Sequence, residues 1–232
     1  MSAGGGPLWL VRHAHTVLHG TDGIAGRRDV ALSDEGRAAA RALGAALARH
    51  VAADGEAPAR WFSSPSGRAR GTAGTLRAAI GHAARPLAID DRLVELDFGD
   101  WEGSGWGRVH RQHGAALARW GEGWIERGPP NGESFRAQTR RCAAWYADAF
   151  GERRLDTAGA TGVSGADGAD GGASVVVTHG GCVRALLCLL LDRPLAEAPR
   201  FVVEPASVYR LERGDGGEGR WRLVGANLAA FD

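Results

Sequence analysis

Short apolar runs alternate with longer segments rich in Ala, Leu and Arg along this chain. Short apolar runs bounded by turn residues are typical of buried strands, whereas the longer segments have the length of helices. Strands are predicted at residues 8–11, 61–65, 86–89, 175–178, 208–211 and 221–224. Helices are predicted at residues 34–50, 68–80, 134–150 and 182–191. This alternation predicts an α/β fold, a three-layer α/β/α sandwich with a mostly parallel central sheet.

Two of the predicted strands end abruptly in histidine. Arg12 and His13 follow the first strand, and His179 follows Thr178 at the end of the strand at 175–178. In an open parallel sheet, ligands bind outside the carboxyl ends of the strands. If the two strands are neighbours, His13 and His179 meet at one edge, where two imidazoles beside an arginine suit a doubly negative oxyanion such as phosphate. A single histidine after a strand is more often a hydrogen-bonded structural residue.

Further charged side chains follow in chain order. Arg68 lies at the start of a predicted helix, where free N–H groups and the helix dipole favour an anion. The loop at residues 93–103 carries carboxylates between aromatic residues and glycines, Glu95 among them.

Five motifs in chain order now resemble those of one family. The matching segments are Arg12–Thr16, Gly26–Ser33, Ser63–Ala73, Leu93–Gly103 and Thr178–Gly181. They resemble R-H-G-x-T, G-x-x-D-x-x-L-[ST], S-S-P-x-x-R-A-x-x-T-A, L-x-E-x-x-F-G-x-W-E-G and T-H-G-G of the histidine phosphatase superfamily. That superfamily includes cofactor-dependent phosphoglycerate mutase, so the resemblance implies a phosphoglycerate mutase-like sandwich.

The resemblance also assigns roles to residues. His13 is the implied nucleophile that accepts the phosphoryl group and passes it to water. Glu95 is the implied general acid, with Asp97 and Glu102 as rivals in the same loop. The implied phosphate-binding residues are Arg12, Arg68 and His179, and the implied substrate-binding residues are His19 and Gly26. These roles imply no metal and no cofactor.

Three positions depart from the family pattern. Ala14 replaces the usual glycine, which either tightens the pocket slightly or has no effect. His15 stands where Glu or Gln is common, and its ring is expected to point toward solvent or substrate. His19 stands where many relatives carry Asn, so it either keeps a donor role toward phosphate or is a bystander.

The motifs favour hydrolysis over phosphoryl-group mutation. The acid loop Glu95–Gly99 lacks the E-R-H-Y-G form of phosphoglycerate mutases, and the segment expected to cap the site, about 101–133, lacks their arginine pair. The acid loop and residues 179–187 look most like those of α-ribazole phosphatases, whose substrate carries a flat base.

Four of the eight tryptophans lie in the expected cap at about 101–133. Most of them are expected to pack the cap onto the sheet, and one or two to face a flat substrate. The alternative is a broad-specificity or sugar-phosphate phosphatase; less favoured are a mutase and a non-catalytic phosphate-binding regulator.

Composition narrows the class of protein. The 232 residues suit a single domain, and the net charge of +1 argues against nucleic acid or membrane as the main partner, leaving a small phosphate ester. A homo-oligomer remains open. Three unevenly spaced cysteines favour buried core positions in a reduced, cytoplasmic protein, and neither a signal peptide nor a membrane span is apparent. The Gly- and Asp-rich stretch at 156–173 is expected to be a flexible surface insertion.

Overall fold

The computed structural model describes residues 6–55, 57–151, 172–214 and 220–228. The insertion predicted at 156–173 lies outside the described residues except for its last two positions. Among the described residues, no helix is both long and apolar enough to span a bilayer.

A six-stranded sheet forms the centre of the described part of the chain, in the order β3-β2-β4-β1-β5-β6. The strands are β1 (Leu8–Arg12), β2 (Arg60–Ser63), β3 (Ala88–Ile89), β4 (Ser174–Thr178), β5 (Val208–Arg213) and β6 (Trp221–Leu228). The first four are mutually parallel, whereas β5 runs antiparallel to both of its neighbours, β1 and β6. The mostly parallel sheet predicted from the sequence is therefore confirmed.

Five α-helices accompany the sheet in the described residues: α1 (Asp34–Asp54), α2 (Gly67–Ala79), α3 (Trp106–Gly123), α4 (Phe135–Phe150) and α5 (Gly180–Leu190). The first helix begins as predicted, because Ser33 Oγ accepts a hydrogen bond from the Gly36 amide. It continues to Asp54, beyond the predicted end near His50. The sequence analysis missed α3, whose backbone is kinked at His113.

Side chains of β1 point alternately into two cores, one on each face of the sheet. Leu8 and Leu10 pack with α4 and α5, whereas Trp9 and Val11 pack with α1 and α2. This alternation follows from the two-residue period of a strand and produces the three predicted layers. The three cysteines, Cys142, Cys182 and Cys188, are free and buried in the first core, as expected.

The register of two central strands creates the site. Arg12 of β1 lies opposite Thr178 of β4, and the His13 amide donates to the Thr178 carbonyl at 2.8 Å. His13 and His179 therefore leave adjacent strand ends on the same edge of the sheet, which confirms that prediction.

Candidate active site

The two histidines lie against each other. Their ring centroids are 5.1 Å apart, and the rings meet edge to face. His13 is 8% exposed and His179 is completely buried.

Hydrogen bonds select the tautomer of His13. Its Nδ1 lies 2.7 Å from the Ala14 carbonyl oxygen, which can only accept, so Nδ1 carries the proton. The other nitrogen, Nε2, keeps its lone pair and accepts from Nε of Arg68 at 3.2 Å. The nitrogen that holds the lone pair thus lies beside an arginine.

Both histidines are kept neutral by their surroundings. Burial is the main cause that lowers the pKa of His13 well below its usual range, and His179 and Arg68 add to the effect. Burial also lowers the pKa of His179 strongly, with Arg68 and Arg141 contributing. A neutral His13 is a competent nucleophile, whereas the predicted cationic state of His179 requires a bound dianion.

His179 is seated behind His13. It is the one predicted site residue that does not line the cleft described below. Its Nε2 lies 2.8 Å from Ser64 Oγ and 3.4 Å from Ser66 Oγ. The sequence analysis missed both serines as site residues, although they lie in the S-S-P-S segment before Arg68.

The arginines present donors at the strand ends. Arg68, in the first turn of α2, is 2% exposed and donates at 2.7 Å to the carbonyls of Gly26 and Arg28. Arg12 donates to the Val203 carbonyl at 2.6 Å. Its buried Nε has no hydrogen-bond partner among the described residues, so this N–H is available to donate to a bound anion.

Glu95 is the carboxylate that reaches this edge. Its Oε1 accepts from the amides of Leu96 and Gly181 at 2.9 and 3.1 Å and from Gln138 Nε2 at 3.1 Å. Its Oε2 accepts from the Gly181 amide at 3.2 Å. Sequence reasoning also missed Gln138, because nothing in its helix indicates which side chain reaches Glu95.

The two rival carboxylates are occupied elsewhere. Asp97 pairs with Arg27 at 3.3 Å, and Glu102 accepts from the amides of Arg27 and Phe98 at 2.8 and 3.1 Å. Neither Asp97 nor Glu102 lines the cleft, so the geometry favours Glu95.

An open cleft of about 300 Å³ lies over these groups. It is lined by the predicted site residues Arg12, His13, His19, Gly26, Arg68 and Glu95. Its other walls are formed by residues 14–16, 18, 20, 21 and 23–25 and by Phe98, Trp106 and Pro205. Gly26 adopts a φ of +51°, and a Cβ there would lie 1.9 Å from Glu102 Oε1, so no other residue fits without a shift.

The positions that depart from the family pattern also lie in the cleft wall. Ala14 is buried, and its amide donates to Thr72 Oγ1 at 3.1 Å. The rings of His15 and His19 lie against each other at a tilt of 30° with centroids 3.6 Å apart, and His15 Nδ1 lies 3.5 Å from Glu35. These contacts leave the predicted roles of His15 and His19 open.

One tryptophan of the 101–133 segment faces the cleft. Trp106, at the start of α3, is 36% exposed and packs edge to face on Phe98 at 5.7 Å. Trp101 is fully buried behind it, Trp120 stacks on it at 6.0 Å, and Trp124 packs on the Phe135 ring. The expectation that most of these rings serve packing agrees with this arrangement.

Glu133 lies outside the cleft wall. It accepts from Arg141 at 2.6 Å and from Arg27 at 3.0 Å, and it also accepts from the Asp97 amide. Arg141 in turn donates to the Glu95 carbonyl at 3.0 Å. This network holds the backbone of the acid loop. Within the described residues, no three His, Cys, Asp or Glu side chains are grouped so as to hold a metal ion.

A family comparison agrees with this geometry. Residues 8–228 match the model of the histidine phosphatase superfamily (branch 1). The chain belongs to the histidine phosphatase superfamily. It is a phosphatase, as are several of its relatives by name.

Two relatives show the range of activities within this similarity. The chain is 30% identical over 199 residues to the adenosylcobalamin/α-ribazole phosphatase of Salmonella typhimurium, covering 85% of each chain. It is also 30% identical over 235 residues to the glucosyl-3-phosphoglycerate phosphatase of Mycolicibacterium vanbaalenii, covering 96% of this chain and 95% of the relative. The α-ribazole phosphatase of Shigella flexneri shares the fold, with a TM-score of 0.76, 22% identity, and coverage of 97% of this chain and 98% of that structure.

Proposed function

We propose that this phosphatase hydrolyses phosphomonoesters without a metal, through a phosphohistidine on His13. The observation that carries the proposal is the neutral His13 ring, whose Nε2 keeps a lone pair beside Arg68. A phosphate oxygen is a stronger acceptor than an imidazole nitrogen. Arg68 therefore turns its Nε–H to the bound phosphate and frees Nε2 for attack.

In the first step, Nε2 forms a bond to phosphorus and the ester P–O bond breaks. The leaving oxygen takes its proton from Glu95, which becomes a carboxylate. In the second step, water attacks phosphorus, the P–N bond breaks, and Glu95 takes the proton from that water. Glu95 is thereby restored as an acid, and inorganic phosphate leaves.

The positive groups stabilise the charge that spreads over the phosphoryl oxygens. Arg12 and Arg68 offer N–H donors to these oxygens, and the approaching dianion favours protonation of His179, which adds a further charge. His19 and Gly26, in the cleft wall, are assigned to the substrate.

The favoured substrate is α-ribazole 5′-phosphate. The enzyme would hydrolyse this ester in the cytoplasm, as a step of cobalamin synthesis. Two observations support this substrate: the partly exposed Trp106 in the cleft wall and the relative named as an α-ribazole phosphatase. In this proposal, residues 101–133 form the cap of a single domain and place Trp106 against the flat base. The partner is a small ester, and neither nucleic acid nor membrane is involved.

The glucosyl-3-phosphoglycerate phosphatase relative supports the second candidate, a sugar-phosphate or broad-specificity phosphatase. A non-catalytic phosphate binder is disfavoured, because the cleft combines a neutral nucleophile with a candidate acid. A mutase is disfavoured because the acid loop Glu95–Gly99 lacks the mutase form and residues 101–133 lack the mutase arginine pair.

One experiment tests mechanism and substrate together. Phosphate release is measured in EDTA from α-ribazole 5′-phosphate, 3-phosphoglycerate and a sugar phosphate, with His13→Ala as the inactive control. Preference for the ribazole ester by kcat/KM, together with a phosphohistidine trapped on His13, is the expected result. Sugar-biased activity overturns the substrate, and full activity of His13→Ala overturns the mechanism.

Trp106→Ala separates the two substrate classes. Loss of one stacking contact costs about 1 kcal/mol, or roughly fivefold in kcat/KM, for a flat leaving group. An equal effect on a sugar phosphate would exclude stacking on Trp106.

A further inference from the structure

Gln138 is a completely buried amide of α4 that contacts the candidate acid. Its Nε2 lies 3.1 Å from Glu95 Oε1 and 3.4 Å from Cys182 Sγ. Its Oε1 has no hydrogen-bond partner within the described part of the chain. Leaving a buried acceptor unpaired is costly, so the contact with Glu95 is the gain that offsets it.

The two oxygens of Glu95 are held unequally. Oε1 accepts three N–H donors, from Leu96, Gly181 and Gln138. Oε2 accepts one, from Gly181, among the described residues. A proton on Oε1 would have to displace one of three N–H groups, whereas Oε2 has lone pairs to spare.

We propose that Gln138 is a positioning residue that confines the transferable proton of Glu95 to Oε2. The inference rests on the proposed role of Glu95 as the general acid. Two of the three donors on Oε1 are backbone amides. Gln138 is the side-chain donor, and it ties α4 directly to the carboxylate.

This role differs from that of the neighbouring Arg141. Arg141 donates to the Glu95 carbonyl and therefore holds the backbone of the loop, whereas Gln138 selects between the two carboxylate oxygens. The charged and titratable groups around Glu95 include Arg12, Arg27, Arg68, Arg141 and the Cys182 thiol. Replacing Gln138 by an apolar residue of similar length leaves all five in place.

The test compares Gln138→Met with Thr139→Val. Thr139 is the next residue of the helix, is equally buried, and donates to the Phe135 carbonyl rather than to the acid. For an alkyl phosphate, which needs a proton on its leaving oxygen, kcat of Gln138→Met is expected to fall about tenfold, the size of a lost hydrogen bond to a charged group. KM and the rate on p-nitrophenyl phosphate stay unchanged. The alkaline limb of the kcat profile moves to higher pH, because the ionised carboxylate has lost a donor.

The same substitution in a Glu95→Gln background isolates the coupling. Gln138→Met should then cost nothing further, since the proton that it positions is gone. An equal loss in both backgrounds, or an unchanged pH profile, overturns the inference. If Glu95→Gln itself shows no dependence on the leaving group, the proposed acid has failed instead.

A measurement on the unaltered protein covers the case in which Gln138→Met does not fold. The side-chain amide resonances of ¹⁵N-labelled Gln138 should shift with the titration of Glu95 and lose that shift in Glu95→Gln. Resonances that do not respond to pH in this way also overturn the inference.

Discussion

Gly181 is the second residue of α5. Adding one methyl group there, in Gly181→Ala, should impair acid catalysis by Glu95 while leaving the attack by His13 unaffected. A Cβ there would lie 2.3 Å from Glu95 Oε1 and 2.8 Å from both polar atoms of the Gln138 amide. Ordinary contact begins at 3.4 Å, so the carboxylate has to retreat by about 1 Å in Gly181→Ala. The three atoms nearest to this methyl group belong to Glu95 and Gln138 and not to His13 or Arg68.

A displacement of this size removes the hydrogen bonds from the Gly181 amide to Glu95, which are 3.1 and 3.2 Å long. Misplacing a reacting group by about 1 Å costs roughly 100-fold in rate. The loss should affect the step that needs the proton and spare the attack by His13. We therefore expect kcat on an alkyl phosphate to fall about 100-fold and kcat on p-nitrophenyl phosphate to change little.

Steady-state kinetics on the two substrates is the assay, with Gly74→Ala as the matched control. Gly74 also lies within a helix, and a Cβ there meets nothing within 4 Å, so the control carries the same change without a clash. Equal losses on both substrates would refute the reasoning, since they would mean that the methyl group disturbs the whole site. Unchanged kinetics would show that Glu95 does not need this position.

Three further outcomes are expected. The free energy of unfolding, measured with urea, should fall as the pH drops below about 6.5. His13 and His179 take up protons there in the unfolded chain but stay neutral when they are buried in the folded protein. An equal dependence of this free energy on pH in His13→Gln would contradict the prediction. Arg68→Lys should lower kcat/KM about 100-fold, because a lysine lacks the Nε–H that reaches His13, while circular dichroism shows the fold intact. A kcat/KM within threefold of that of the original protein would remove this contact from the mechanism. Activity should survive EDTA dialysis, and a loss that Mg²⁺ or Zn²⁺ restores would exclude the metal-free reaction.

Local rules predicted the parts of the fold that depend on neighbours in the chain. Ser33 was recognised as an N-cap because its partner is three residues away, and the apolar strands at 8–11 and 175–178 because burial on both faces requires continuous apolar residues. Helix α3 was missed, although Val109, Ala116 and Trp120 follow a helical spacing. Its four glycines lower the helix propensity of the segment and obscure that period.

The sequence alone determined the family, the order of the strands and of every helix except α3, and the candidates at the strand ends, because motifs and periodicity are local properties. The tertiary structure decided which carboxylate lines the cleft together with His13, which His13 nitrogen holds the lone pair, and which tryptophan lines the cleft. Those choices depend on contacts between distant positions, such as Glu95 with Gln138 and Gly181, 43 and 86 residues apart. No local pattern encodes such a contact, since it exists only after the sheet and its helices have packed together.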